Sequence, residues 1–150
     1  MIKAILIDDE SQSIDILQLR LKKYQDILSV EAVARNISDG SRLIREIEPD
    51  VVFLDIQMPG GSGFDLLKNF PDPVFLVVFV TAYDEFALKA LKLNALDYLL
   101  KPIDPVELDK AVEKIIQTTE SKQSKEQSLS LLKVVKTNFE ITEGKIHKMV

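Results

Sequence analysis

Four short runs of apolar residues punctuate the chain: Ile2 to Ile7, Val51 to Leu54, Val74 to Val80 and Leu96 to Leu100. None alternates cleanly between apolar and polar positions, which is the pattern of strands buried on both faces of a parallel sheet. Val30 to Ala34 is a weaker fifth run. Between the runs, apolar residues recur at helical spacing: Ile14, Leu17 and Leu21; then Leu43, Ile44 and Ile47; then Leu88 and Leu91 with flanking alanines. These predict amphipathic crossover helices. A last helix is announced by Asp104, Pro105 and Glu107, which supply an N-cap, a first-turn proline and an acid at the third position. Leu108, Val112, Ile115 and Ile116 come next, and the helix is expected to end near Gln117.

Strand and helix therefore alternate five times over residues 1–118, predicting an α/β fold with a five-stranded, doubly wound parallel sheet. Right-handed crossovers leave few topologies open. Residues 119–130, rich in Ser, Lys, Gln and Glu, are read as a linker. Leu131 to Val135 and Phe139 to Met149 look like two short strands. A lone pair of strands is marginal by itself, so residues 131–150 are expected to begin a further, truncated output domain.

Composition narrows the function classes. A chain of 150 residues holds one sizeable core and an appendage, not two full domains. The net charge of −5 sets up no field that would draw this segment to nucleic acid or to anionic lipid. With no cysteine, thiolate nucleophiles and thiolate metal sites are excluded. The N-terminal apolar run is far too short for a signal peptide or a membrane span, so a soluble, cytoplasmic protein is expected, with no membrane partner.

The candidate chemistry lies at the ends of the runs. Counting all five runs in chain order, Asp8 and Asp9 follow the first, Asp55 the third, Thr81 the fourth and Lys101 the fifth. In a parallel sheet these points share the carboxyl edge, where open α/β sheets place ligand sites. Clustered carboxylates repel unless a cation neutralises them, and hard oxygen ligands select Mg²⁺, or Mn²⁺ in its place. Such a site suits phosphoryl transfer, and one carboxylate can then act as the nucleophile to give an acyl phosphate. Asp55 stands alone at a strand end and is the expected acceptor, with Asp8 and Asp9 as the metal-holding pair. Lys101 would neutralise phosphoryl oxygens, and Thr81 would donate its hydroxyl to them. Each residue has a plainer reading: the Asp8-Asp9-Glu10 triplet could cap the first helix, Lys101 could be a solvated lysine and Thr81 a turn hydroxyl. Their convergence on one edge favours function. Gly60, Gly61 and Gly63 are not succeeded by the Gly-Lys-Ser/Thr of a P-loop and are read as a tight turn beside the metal.

These motifs together, Asp8-Asp9-Glu10, Leu54-Asp55-Ile56-Gln57-Met58-Pro59-Gly60, Val80-Thr81-Ala82 and Tyr98-Leu99-Leu100-Lys101-Pro102, resemble the receiver domain of two-component response regulators over residues 1–118. The resemblance implies a flavodoxin-like strand order of 2-1-3-4-5. It implies phosphorylation of Asp55 by a histidine kinase, with Mg²⁺ held by Asp9, Asp55 and the backbone carbonyl of Gln57, and by Asp8 through water. It also implies that Thr81 and Tyr98 form a switch pair and that the Lys101–Pro102 bond is cis. The stretches Thr81 to Ala90 and Asn94 to Pro102 are similar to receivers of the LytTR type, whose output is DNA binding. Two other functions compete with a phosphorylation switch that dimerises through the fourth and fifth helices and the fifth strand. A phosphatase resembling haloacid dehalogenases would want a second Asp at the position of Gln57, so an enzyme beyond self-phosphorylation and self-dephosphorylation is disfavoured. A phosphorylation-independent interaction module would not need every acceptor, metal and switch position filled.

Overall fold

The structure is a computed structural model that describes the backbone of residues 1–139 and the side chains of residues 1–122. Five strands form one parallel sheet: β1 (Ile2–Ile7), β2 (Leu28–Ala34), β3 (Val51–Leu54), β6 (Leu76–Thr81) and β7 (Asp97–Leu100), in the order β2-β1-β3-β6-β7. Counting these five alone, that is the 2-1-3-4-5 order implied by the resemblance. A two-residue hairpin, β4 (Gln57–Met58) with β5 (Gly61–Ser62), lies after β3. Helices α1 (Ser11–Leu21), α2 (Ile37–Ile47), α3 (Gly63–Leu67) and α4 (Ala87–Lys92) connect the strands, and α5 (Pro105–Phe139) follows β7.

The non-alternating runs have the expected cause: every residue of β3 is buried, as is every residue of β1 except Lys3. Ile5, Val52, Leu54 and Phe79 pack into a core with Leu66 and Phe64 of α3, and on the order of 2 kcal/mol is gained for each such side chain removed from water. The fourth strand starts at Leu76 rather than Val74, because Pro73 lacks the N–H a ladder needs and Val74 is exposed. Helix α3 was not legible as an apolar repeat, being only five residues long. It is set by a capping box, in which the Ser62 hydroxyl accepts from the Asp65 N–H and the Asp65 carboxylate accepts from the Ser62 N–H.

The end of the chain departs most from expectation. Helix α5 does not stop near Gln117 but continues to Phe139, through the residues expected as a linker and through the expected strand at 131–135. Its start is as predicted, with Asp104 Oδ1 accepting from the Val106 N–H at 2.8 Å. No Gly or Pro occurs between Pro105 and Gly144, and Lys, Gln, Glu and Leu are good helix formers, so backbone propensity outweighs the strand-like apolar pairs. The second expected tail strand lies, apart from Phe139, outside the described residues. The chain separates into two compact units, Met1–Ile115 and Ile116–Val150. Among the described residues no helix is long and apolar enough to cross a membrane.

Candidate functional site

Backbone pairing beyond the strand ends brings the candidate residues together. The last β1–β3 pair is Ile7 with Leu54, so Asp8 and Asp55 are the next positions on adjacent strands. The Asp55 N–H donates to the Ile7 carbonyl at 2.9 Å and the Asp8 N–H to the Ala34 carbonyl at 3.0 Å. On the other side Thr81 pairs with Leu100, and the Lys101 N–H donates to the Thr81 carbonyl at 2.8 Å. All five predicted residues thus stand at the carboxyl edge of one sheet.

The side chains of three of them converge with Asp9. Oxygens of Asp8, Asp9 and Asp55 lie within 4.8 Å of one another, with Asp8 and Asp55 buried and Asp9 half-buried. The Lys101 ammonium reaches Asp8 Oδ2 at 2.8 Å, Glu10 Oε1 at 2.9 Å and Asp55 Oδ2 at 3.0 Å. Burial raises the Asp8 carboxyl above its ordinary range, against the opposing pull of its hydrogen bonds to Lys101 and the Glu10 N–H, and the Asp55 charge adds to the rise. For Lys101, burial favours the neutral amine, but hydrogen bonds to Asp8, Glu10 and Asp55 outweigh it and lift the ammonium above its usual range. Asp55 Oδ1 is buried and has no hydrogen-bond partner. A carboxylate with one orphaned oxygen, grouped with two more acids and with one lysine for three buried or half-buried carboxylates, is a donor set that fits a hard divalent cation.

The plainer reading of the acidic triplet does not hold for Glu10. Glu10 is the N-cap position of α1 but its side chain makes no capping bond; it goes to Lys101 instead. Asp8 Oδ1 accepts from the Glu10 N–H at 3.0 Å. Thr81 is fully buried, and its hydroxyl accepts from the Tyr83 N–H at 3.4 Å. Tyr98 is half-buried, stacks at a tilt on Phe79 at 6.2 Å, and donates its hydroxyl to the Tyr83 carbonyl. Gln57 sits in β4 with its side chain exposed.

Two functional details escaped sequence reasoning. The Glu10–Lys101 contact joins residues 91 positions apart, and nothing in the local pattern says which way the third acid turns. At Gly63 an added Cβ would lie 2.4 Å from the Asp55 carbonyl oxygen, so glycine there lets α3 pack under the acidic cluster. Of the three loop glycines, only Gly60 has the positive φ, 85°, that a tight turn demands. The Lys101–Pro102 bond is cis.

Known proteins share both the sequence and the fold. Residues 4–113 match the response regulator receiver domain family. The chain is 47% identical over 116 residues to an uncharacterised response regulatory protein of Vibrio vulnificus, covering 77% of this chain and 48% of that one. It is 39% identical over 118 residues to the transcriptional regulatory protein BtsR of Escherichia coli, covering 78% and 49%. The chain thus spans about half the length of the curated relatives it matches. Among solved structures, the REC domain of AraT, a response regulator from Geobacillus stearothermophilus, superposes with a TM-score of 0.73 at 30% identity, covering 81% of this chain and 97% of that one. The response regulatory domain of mrkE from Klebsiella pneumoniae gives 0.74 at 25%, covering 80% and 99%.

Proposed function

The chain belongs to the response regulator receiver domain family, and from that premise we propose that it is a phosphorylation switch whose acceptor is Asp55. The observation that carries the reading is the buried, unpartnered Oδ1 of Asp55, on a carboxylate grouped with two further acids and bonded through its other oxygen to a lysine. That oxygen attacks phosphorus and forms an O–P bond. The bond from phosphorus to the imidazole nitrogen of a histidine kinase breaks, its electron pair staying on nitrogen, and an aspartyl phosphate results.

Asp9, Asp55 and the backbone carbonyl of Gln57 would hold Mg²⁺, or Mn²⁺ in its place, with Asp8 acting through water. Bound there, the ion supplies positive charge against the phosphoryl oxygens. Lys101 supplies a second cation beside Asp55 and is kept protonated by the same carboxylates. Thr81 donates its hydroxyl to the phosphoryl group, loosening its hold on the Tyr83 N–H. Tyr98 shares that loop through the Tyr83 carbonyl, so the two side chains move as a switch pair.

Downstream, the phosphorylated form pairs through α4, β7 and α5, a face that exposes Leu88 and Leu91 of α4. Residues 1–118 act as the receiver, and the signal passes from them to an output domain that binds DNA. The LytTR-like stretches at Thr81 to Ala90 and Asn94 to Pro102 support that kind of output. The transcriptional regulatory name of the BtsR relative supports it too. The switch operates in the cytoplasm, where a kinase can reach it.

Incubation of the chain with Mg²⁺ and acetyl phosphate tests the reading by intact mass. One base-labile phosphoryl group per chain is expected, and Asp55→Asn should take none. A parent chain with no mass increase overturns it.

A further inference from the structure

Lys101 has three N–H groups, and three carboxylate oxygens stand within 3.0 Å of them: Asp8 Oδ2, Glu10 Oε1 and Asp55 Oδ2. The lysine side chain is 13% exposed, so water does not freely supply or remove partners. Two of the acceptors are fixed. Asp8 and Asp55 are buried, and both belong to the trio whose oxygens could share a cation. Glu10 differs from them in every respect. Its side chain is 58% exposed, it lies outside that trio, and it makes no cap for α1 despite its N-cap position. Water would solvate it as well as Lys101 does, so burial does not force the contact.

We propose that Glu10 is a positioning residue that competes with the phosphoryl group for Lys101, so that phosphorylation must displace it. The proposal rests on the reading of Asp55 as phosphoacceptor. In the transfer from acetyl phosphate, Asp55 Oδ1 bonds to phosphorus while the donor's acyl O–P bond breaks, acetate leaving with the electron pair. The new group brings oxygens within reach of an ammonium with no N–H to spare. One carboxylate must let go, and Glu10 alone can move into water. Glu10 thus holds the lysine over Asp55 beforehand and resists its reassignment afterwards, a brake built from one exposed side chain.

Two variants of the full chain test this at saturating Mg²⁺ with acetyl phosphate as donor, read by intact mass. Glu10→Gln removes the charge, and Glu10→Asp keeps it but shortens the reach by a methylene. Both should be phosphorylated about three-fold faster than the parent, the scale of a partly exposed ion pair, and added salt should close the gap by weakening the parent's contact. In the unphosphorylated chain, the proton–nitrogen signal of the Lys101 ammonium should shift in both variants, as loss of the 2.9 Å contact requires, whereas the faster, salt-sensitive phosphorylation is what a residue serving stability alone would not produce. Parental rates in either variant, or an unmoved ammonium signal, overturn the competition while leaving Asp55 as acceptor. A parent chain that takes no phosphoryl group overturns the receiver reading and this inference together.

Discussion

Lys101 is the residue on which the charges of the site balance. Truncating it leaves the buried carboxylates of Asp8 and Asp55 without their cation, and breaking a buried pair from one side is costly. In metal-free buffer near neutral pH, Lys101→Met should lose about 3 kcal/mol in denaturant unfolding. The pH dependence of that loss comes from Asp8. Burial already lifts its carboxyl above 3.8, with the Lys101 hydrogen bond opposing, so the substitution lifts it further. A carboxyl whose folded pKa exceeds its unfolded one withdraws stability as pH rises between the two. The deficit should therefore shrink on acidification toward 3.8. Added Mg²⁺ should shrink it at neutral pH. A deficit that neither treatment changes would remove charge crowding as its cause.

At the scale of elements, the acidic edge depends on how closely α3 approaches the end of β3. The Gly63 N–H donates to the Ile56 carbonyl at 2.8 Å, and an added Cβ would meet the Asp55 carbonyl oxygen at 2.4 Å. The atom on the other side of that contact is backbone, which cannot swing away. Gly63→Ala should therefore cost about 2 kcal/mol and, by moving Asp55, slow phosphorylation beyond what lost stability explains. Thermal unfolding beside the acetyl phosphate rate separates the two effects. The same element shows why local patterns mislead: five residues are too few to display a helical repeat, and α3 is legible only through its Ser62 and Asp65 cap.

For the whole molecule, the exposed leucines of α4 set the expectation for assembly. Leu88 and Leu91 are 63% and 69% exposed, whereas Ala90 of the same helix is buried. A fluoroberyllate analogue of the aspartyl phosphate should raise the dimer fraction in sedimentation. Leu91→Glu should weaken that dimer roughly ten-fold without unfolding the chain, since the side chain it alters packs against little. An unchanged sedimentation profile with the analogue would count against pairing through this face.

Much of this protein is dictated by one-dimensional pattern. Runs without alternation require strands covered on both faces, and helices between them require parallel crossovers; strand ends then share an edge, so Asp8, Asp9, Asp55, Thr81 and Lys101 must stand along it. Two features were decided only in three dimensions, and a third was misread from the apolar pattern. Glu10 turns to Lys101 across 91 residues of sequence instead of capping its own helix. Asp55 leaves one particular oxygen buried and unpaired. Helix α5 runs on to Phe139 where apolar pairs suggested strands. The reason is common to the first two: periodicity reports which face a residue occupies, but a side chain's partner depends on what distant segments deliver to that face. The third reflects the absence of any residue that would stop a helix once Asp104 and Pro105 have started it.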